Sequence, residues 1–576
     1  MSEIRSAHST VRVMAARSAV VNRGVPISRR PRVAFAAILH ACFCMVQARA
    51  QDLPDDIDIG AAPEGIVAMP KGLPRAFRRF NRYTKIITAN GKAIHIIAQS
   101  RISEGQIVRA REVLRMFLTD VPGSEFGVAK AALGNRMAAN EAMLMLVNGT
   151  HSEGNEPNLP AQPLYQNEMQ VEGHRWYIEQ DYDHRDATFE EILHLVHDTG
   201  IGVDGRNTQP GVLPAYQAEI RRATNNAMAD NFQIWPLGAR RDREWYDDLA
   251  AENSLTQEYL ASLIDSYYGL WGAWTESASL GMWGEYIAKT RDEIRREDPM
   301  GWSLLGKFFP EHLTYEARID PDFTGTFRMT FDRARAYTHH SQYLLKARLV
   351  GTRDSNLTGN ARDNTLTGNE GNNILDGAAG EDTAVFRGKR ADYAATRGAG
   401  GRIALVDSVP GRDGSDTLVG VELVKFSDRT VPAAQLSDGS TSQLEAWREE
   451  YFAVETGDPT LEATVWGNLA DPDGDGVRNL VEFAFGSDPR RASGGPPISN
   501  LRSDGTSIRL TLKGITSDPV TTVAAQMSTD LETWNEVVGT VENDIQDAEG
   551  RRTLDLGYPL PGNTTTGFVR FVIRRD

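Results

Sequence analysis

Residues 359–385 read as three consecutive nonapeptides, GNARDNTLT, GNEGNNILD and GAAGEDTAV. Each opens on a glycine (Gly359, Gly368, Gly377), carries Asn364, Asn373 or Asp382 in sixth place, and Leu366, Leu375 or Ala384 in eighth. A fixed nine-residue period with one apolar slot leaves few folds open. Each repeat is too short to enclose a core of its own and has to stack on its neighbours. A parallel β-helix meets that demand: glycine makes the turn, a very short strand follows, and its one inward side chain packs on the next coil. The turns then face one another, and their carbonyls and Asp or Asn oxygens can enclose a hard cation.

The tract resembles the hemolysin-type calcium-binding repeats known as RTX, whose pattern is GGxGxDxUx. The resemblance implies calcium held near Asn364, Asn373 and Asp382. It also implies fewer anionic ligands than in a long array, because two of the three sixth positions are asparagine and Ala378 replaces a glycine. The strand-like text that follows, from Asp382 through Phe426, resembles the β-rich cap that often closes such repeats.

A second calcium motif stands at Asp471–Glu482, DPDGDGVRNLVE. Asp471, Asp473, Asp475, Val477, Asn479 and Glu482 occupy loop positions 1, 3, 5, 7, 9 and 12, with Gly476 at position 6. This is the spacing of an EF-hand-type loop, in which early carboxylates and the position-7 carbonyl wrap one side and the last glutamate closes the shell. The single loop also resembles dockerin and thrombospondin type 3 loops. A helix around Leu444, Trp447 and Tyr451 is expected to pack on Leu480, Phe483 and Phe485.

Residues 1–50 read as a signal peptide, with a basic stretch, the apolar run Val33–Val46 and Ala48-Arg49-Ala50 before Gln51. Both cysteines, Cys42 and Cys44, lie inside it, so the mature chain is expected to have neither disulfides nor thiolate metal sites. Taking away the segment's eight arginines and one glutamate from 62 basic and 78 acidic residues leaves 54 against 77, a balance of −23. Such an acidic chain is a poor partner for nucleic acid and suits calcium. No other stretch is long and apolar enough for a transmembrane helix. The remaining partition is 51–350, an α/β (α+β) domain; 351–436, the repeats and cap; 440–490, the helix and calcium loop; and 491–576, a β-sandwich.

Within 51–350, Asn90-Gly91 between two apolar runs predicts a hairpin with a type I′ turn, Ser103 with Gln106 predicts a capped helix, and Glu141–Val147 is a strand or a short buried helix. Residues 254–290 read as helical and aromatic. The segment Asp186–Gly200, DATFEEILHLVHDTG, predicts a helix with Thr188 and Glu191 as a capping box. Glu190, His194 and His197 fall at i, i+4 and i+7 on one stripe, where two imidazoles and a carboxylate would bind zinc or another transition metal. A plain surface helix with a capped start and a polar stripe gives the same text.

Glu190-Glu191-Ile192-Leu193-His194 resembles the zincin signature HExxH with glutamate for the first histidine. That resemblance implies Glu190 and His194 as metal ligands, Glu191 as general base and a third ligand from Glu276, with Glu285 in reserve. The sequence thus describes a secreted or cell-surface, multidomain calcium-binding protein. Its N-terminal domain is either a zincin-like peptidase or a non-catalytic, adhesion-type module that binds an extracellular protein or polysaccharide.

Overall fold

The computed structural model describes residues 49–576 except 154–155, 206–207, 437–442, 493–497, 517–520, 548–550, 563, 565 and 576. The expected leader, through residue 48, lies outside the described residues. The protein is a mixed α/β structure with several sheets and an antiparallel, strand-rich C-terminal region.

The first sheet follows sequence order: β1 (Val67–Ala68), β2 (Arg82–Ile87), β3 (Ala93–Ala98), β4 (Met143–Val147) and β5 (Gln162–Tyr165). β2 and β3 form the expected hairpin. Of the two turn residues only Gly91 has a positive φ, +81°, so the connection is a wider loop closed between Thr88 and Lys92 rather than a type I′ turn. β4 is a strand, buried at every residue because it lies parallel between β3 and β5 with both faces covered. The helix Glu104–Phe117 begins at the expected capping box, with Ser103 accepting from the Gln106 N–H and Gln106 from that of Ser103.

Two helix expectations are corrected. The helix Thr188–Val196 has Ala187 at its N-cap and no capping side chain there. Asp186 Oδ1 accepts from the Thr188 N–H instead, at 3.1 Å, so the Thr188–Glu191 box does not form. All nine residues of this helix are buried; it is a core helix, not a surface helix with a polar stripe. Apart from a short 3-10 turn at Met282–Gly284, the stretch 254–290 is helical only over the α-helix Leu255–Tyr267. It then turns at Gly269, φ +74°, where any Cβ would meet the His339 carbonyl at 2.0 Å. The two helices pack against each other in one hydrophobic cluster.

From Leu313 the chain alternates between two six-stranded sheets. Its strands are β6 (Leu313–Ile319), β7 (Gly325–Arg328), β8 (Leu344–Leu349), β9 (Ser355–Thr358), β10 (Thr365–Thr367), β11 (Ile374–Asp376), β12 (Thr383–Val385), β13 (Tyr393–Arg397), β14 (Ile403–Asp407), β15 (Ser415–Val419), β16 (Leu423–Lys425) and β17 (Thr430–Pro432). One sheet has the order β17-β16-β12-β10-β8-β6 and the other β13-β14-β15-β11-β9-β7. Leu366 pairs in parallel with Ala384, and Leu357 with Leu375. All four are fully buried. The stack begins at Leu313 rather than at 351, and its interior continues into the preceding core as one cluster from Ile86 to Leu436.

Beyond it, Leu444, Trp447 and Phe452 of the helix Gln443–Phe452 pack on Phe483, with Tyr451 and Leu480 against them, while Phe485, also expected there, does not join this cluster. The helix Asn479–Phe485 also gives Ala484 and Phe485 to a separate core between a four-stranded and a three-stranded antiparallel sheet. Among the described residues no helix is long and apolar enough to cross a membrane.

Candidate metal centres

The 3.6-residue period places Glu190 and His194 one turn apart on the helix Thr188–Val196. The neighbouring helix Leu255–Tyr267 brings Glu258 to them. Ligand atoms of Glu190, His194 and Glu258 all lie within 4.8 Å of one another, and all three residues are buried. His194 Nε2 is 3.6 Å from Glu258 Oε1. On the other edge of the ring, His194 Nδ1 is 3.6 Å from Glu191 Oε2, and that oxygen also accepts from Gln162 Nε2 at 2.7 Å. Glu190 Oε2 accepts from Arg185 Nη1, and the Arg185 guanidinium lies 4.7 Å above the Trp283 ring.

The cluster is rich in carboxyl groups whose protonation is set by burial and by one another. The half-buried Glu168 and the buried Glu190, Glu191, Glu258 and Asp265 gather around Arg185 and His194, so that carboxyl groups outnumber cations. Burial, and then the Glu190 and Glu191 charges, push Glu258 up to about 8. Burial and Glu191 push Glu168 to about 7. Burial opposes the charge on His194, but Glu258 and then Glu191 overcome it and push the imidazole up to about 10. Glu190 Oε1 and Glu258 Oε2 are buried without a hydrogen-bond partner, a condition that costs stability unless a proton or a cation supplies the missing charge. One imidazole and two carboxylates suit a divalent transition metal.

Three residues expected here stand elsewhere. His197, at i+7, turns away: its Nε2 contacts Gln217 Oε1 at 2.6 Å, and burial lowers the ring to about 4. Glu276 is exposed, on the irregular segment after Gly269, and Glu285 accepts from the Gly238 N–H at 2.7 Å. The third member of the group is Glu258, which sequence reasoning missed. Its signal was Glu258, Ser262 and Asp265, polar at i, i+4 and i+7 on one stripe of the helix.

The second centre is the loop 471–482. Asp471, Asp473 and Asp475 offer oxygens within 4.8 Å of one another. Asp471 accepts from the N–H groups of Gly474 and Gly476, each at 2.9 Å, and Asp475 from that of Val477 at 2.8 Å. Gly474 and Gly476 take φ of +74° and +88°, which glycine adopts without a Cβ penalty. Asn479 donates Nδ2 to the carbonyls of Val465 and Gly467. Its Oδ1 is buried without a partner, as are Asp473 Oδ2 and Glu482 Oε2. Glu482 is fully buried, and burial with the Asp473 and Asp475 charges pushes it up to about 7. Oxygens from positions 3, 9 and 12 left without partners fit a hard cation.

The repeat tract is arranged differently. Asn364 Oδ1 accepts from the Asn360 N–H at 2.7 Å, and Asn373 Oδ1 from that of Asn369 at 2.8 Å. Their Nδ2 groups donate to Asn360 and Asn369 Oδ1 at 3.1 Å, and Asn373 Nδ2 also to the Ser355 carbonyl at 2.8 Å. Asp382 Oδ1 accepts from the Asn364 N–H at 2.7 Å, and its Oδ2 is buried without a partner. The two asparagines thus form a hydrogen-bonded ladder between coils, and Asp382 keeps the tract's one unsatisfied sixth-position oxygen among the described residues. Comparison with protein-family models, with curated proteins and with solved structures yields no match.

Proposed function

We propose that this is an extracytoplasmic calcium-binding protein, in which residues 471–482 form an EF-hand-like loop and the repeat tract a short β-helix of the RTX kind. The observation that carries the reading is the set of three unpartnered buried oxygens, Asp473 Oδ2, Asn479 Oδ1 and Glu482 Oε2, at the loop positions where calcium ligands belong. The eighteen-residue spacing of the tract's coil-to-coil hydrogen bonds supports the β-helix. Calorimetric titration of the calcium-stripped full chain is expected to give binding near 0.1–1 mM, typically the extracellular range. Glu482→Gln, which removes an anionic ligand at nearly constant volume, is expected to weaken it at least tenfold. Unchanged affinity in that variant would remove the loop from the account.

The grouping of Glu190, His194 and Glu258 favours a second reading for the N-terminal domain, a metal-dependent hydrolase of extracellular peptide. After exhaustive dialysis the full chain is expected to keep zinc or another transition metal near one equivalent, and His194→Ala to lose it. Equal metal content in the two proteins would sink this reading, leaving a non-catalytic module that binds an extracellular protein or polysaccharide.

A further inference from the structure

The resemblance to HExxH gives Glu191 the part of general base, yet its carboxylate sits on the Nδ1 edge of His194, across the ring from Glu258. Three contacts define its place. Glu191 Oε2 is 3.6 Å from Nδ1, within ion-pair range, and the same oxygen is tied at 2.7 Å to Gln162 on β5, an element separate from both helices. His194 Nε2 faces Glu258 Oε1 at 3.6 Å and belongs with Glu190 to the set of converging ligand atoms. The capping role that would otherwise occupy Glu191 is absent, since Asp186 caps the helix. Metal-bound histidines generally give their second ring N–H to a carboxylate or carbonyl, which fixes the tautomer and the ring plane.

We propose that Glu191, anchored by Gln162, is a positioning residue that holds His194 by Nδ1 so that Nε2 is presented to a divalent transition metal. The proposal rests on the Glu190–His194–Glu258 centre and changes the part played by its neighbour. A carboxylate of this kind acts on metal affinity, whereas a general base acts on turnover and leaves affinity alone.

Cobalt(II) chloride titrated into the stripped full chain reads the difference, through its visible absorption as well as its affinity. Glu191→Ala is expected to lower cobalt affinity about 10–100-fold and to change the absorption envelope of what still binds. Glu191→Gln, whose side-chain carbonyl can accept the Nδ1 proton, is expected to return affinity to within a few fold of the parent. Gln162→Ala, at a half-buried position that leaves the helix intact, is expected to cost several-fold by loosening the carboxylate, and serves if Glu191→Ala fails to fold. Parent-like affinity and spectrum in both alanine variants would overturn the proposal while the His194-dependent centre stands. A parent chain that binds no cobalt would overturn the centre and the proposal together.

Discussion

Calcium is expected to raise the unfolding temperature of the C-terminal part of the chain, and the gain is expected to be larger above about pH 7 than below it. At a calcium concentration a hundredfold above the dissociation constant the stabilisation is about 2.7 kcal/mol, and at a thousandfold about 4.1 kcal/mol. The pH dependence follows from Glu482, whose carboxyl is pushed up to about 7 in the folded loop by burial and by Asp473 and Asp475, against about 4.3 for an exposed glutamate. Between those values the folded loop binds a proton that the unfolded chain does not, so without calcium stability falls as pH rises through this window. On the proposed reading, calcium would take the place of that proton. Its affinity therefore weakens as pH drops through about 7. Scanning calorimetry at pH 5 and pH 8, with calcium and with chelator, is the check. A calcium gain at pH 5 equal to that at pH 8 would contradict the assignment of Glu482 as a ligand.

The two centres differ in how much of them the sequence could show, and the reason is where their ligands come from. The loop would draw its oxygens from twelve consecutive positions, so local spacing alone is enough to bring Asp471, Asp473 and Asp475 within 4.8 Å of one another. The repeat period was legible for the same reason, since Leu366, Leu375 and Ala384 recur in a fixed slot and all reach full burial. What the period did not reveal is that an asparagine amide can satisfy by hydrogen bonds the place where an aspartate would need a cation.

The N-terminal centre is tertiary. Glu258 comes from another helix, and only packing makes it a neighbour of His194. Glu191 misled because Thr188-x-x-Glu191 is the text of a capping box. Asp186, two residues earlier than Thr188, makes the Asx-type bond that takes its place. The polar stripe read as solvent-facing because charged residues are seldom fully buried without partners. Here the partners are one another and Arg185. The strand stack reaches back across position 351 for a similar reason: β6 and β8 carry no nonapeptide signature, yet they lie in the same sheet as β10.

Arg109→Met is expected to destabilise the N-terminal unit by about 3–5 kcal/mol, the range for a buried ion pair that loses one partner. The guanidinium grips Asp186 with two bonds, at 3.0 and 2.6 Å, and Glu172 with a third at 3.0 Å, and all three side chains are at least nine-tenths buried. Glu172 in turn accepts from the Tyr315 hydroxyl on β6, while Asp186 caps the helix that carries Glu190 and His194. Without the arginine two carboxylates remain in the interior with no cation between them. Arg109→Lys would restore the charge but not the two-pronged contact, so it is expected to recover only part of the loss. Denaturant titration of the full chain, read at the transition of the N-terminal unit, measures both. The proposed calcium loop packs in a separate hydrophobic cluster, so calcium is expected to rescue neither variant. A loss below about 1 kcal/mol in Arg109→Met, the size typical of an exposed pair, would show that the network is not what joins the site helix to the strand stack.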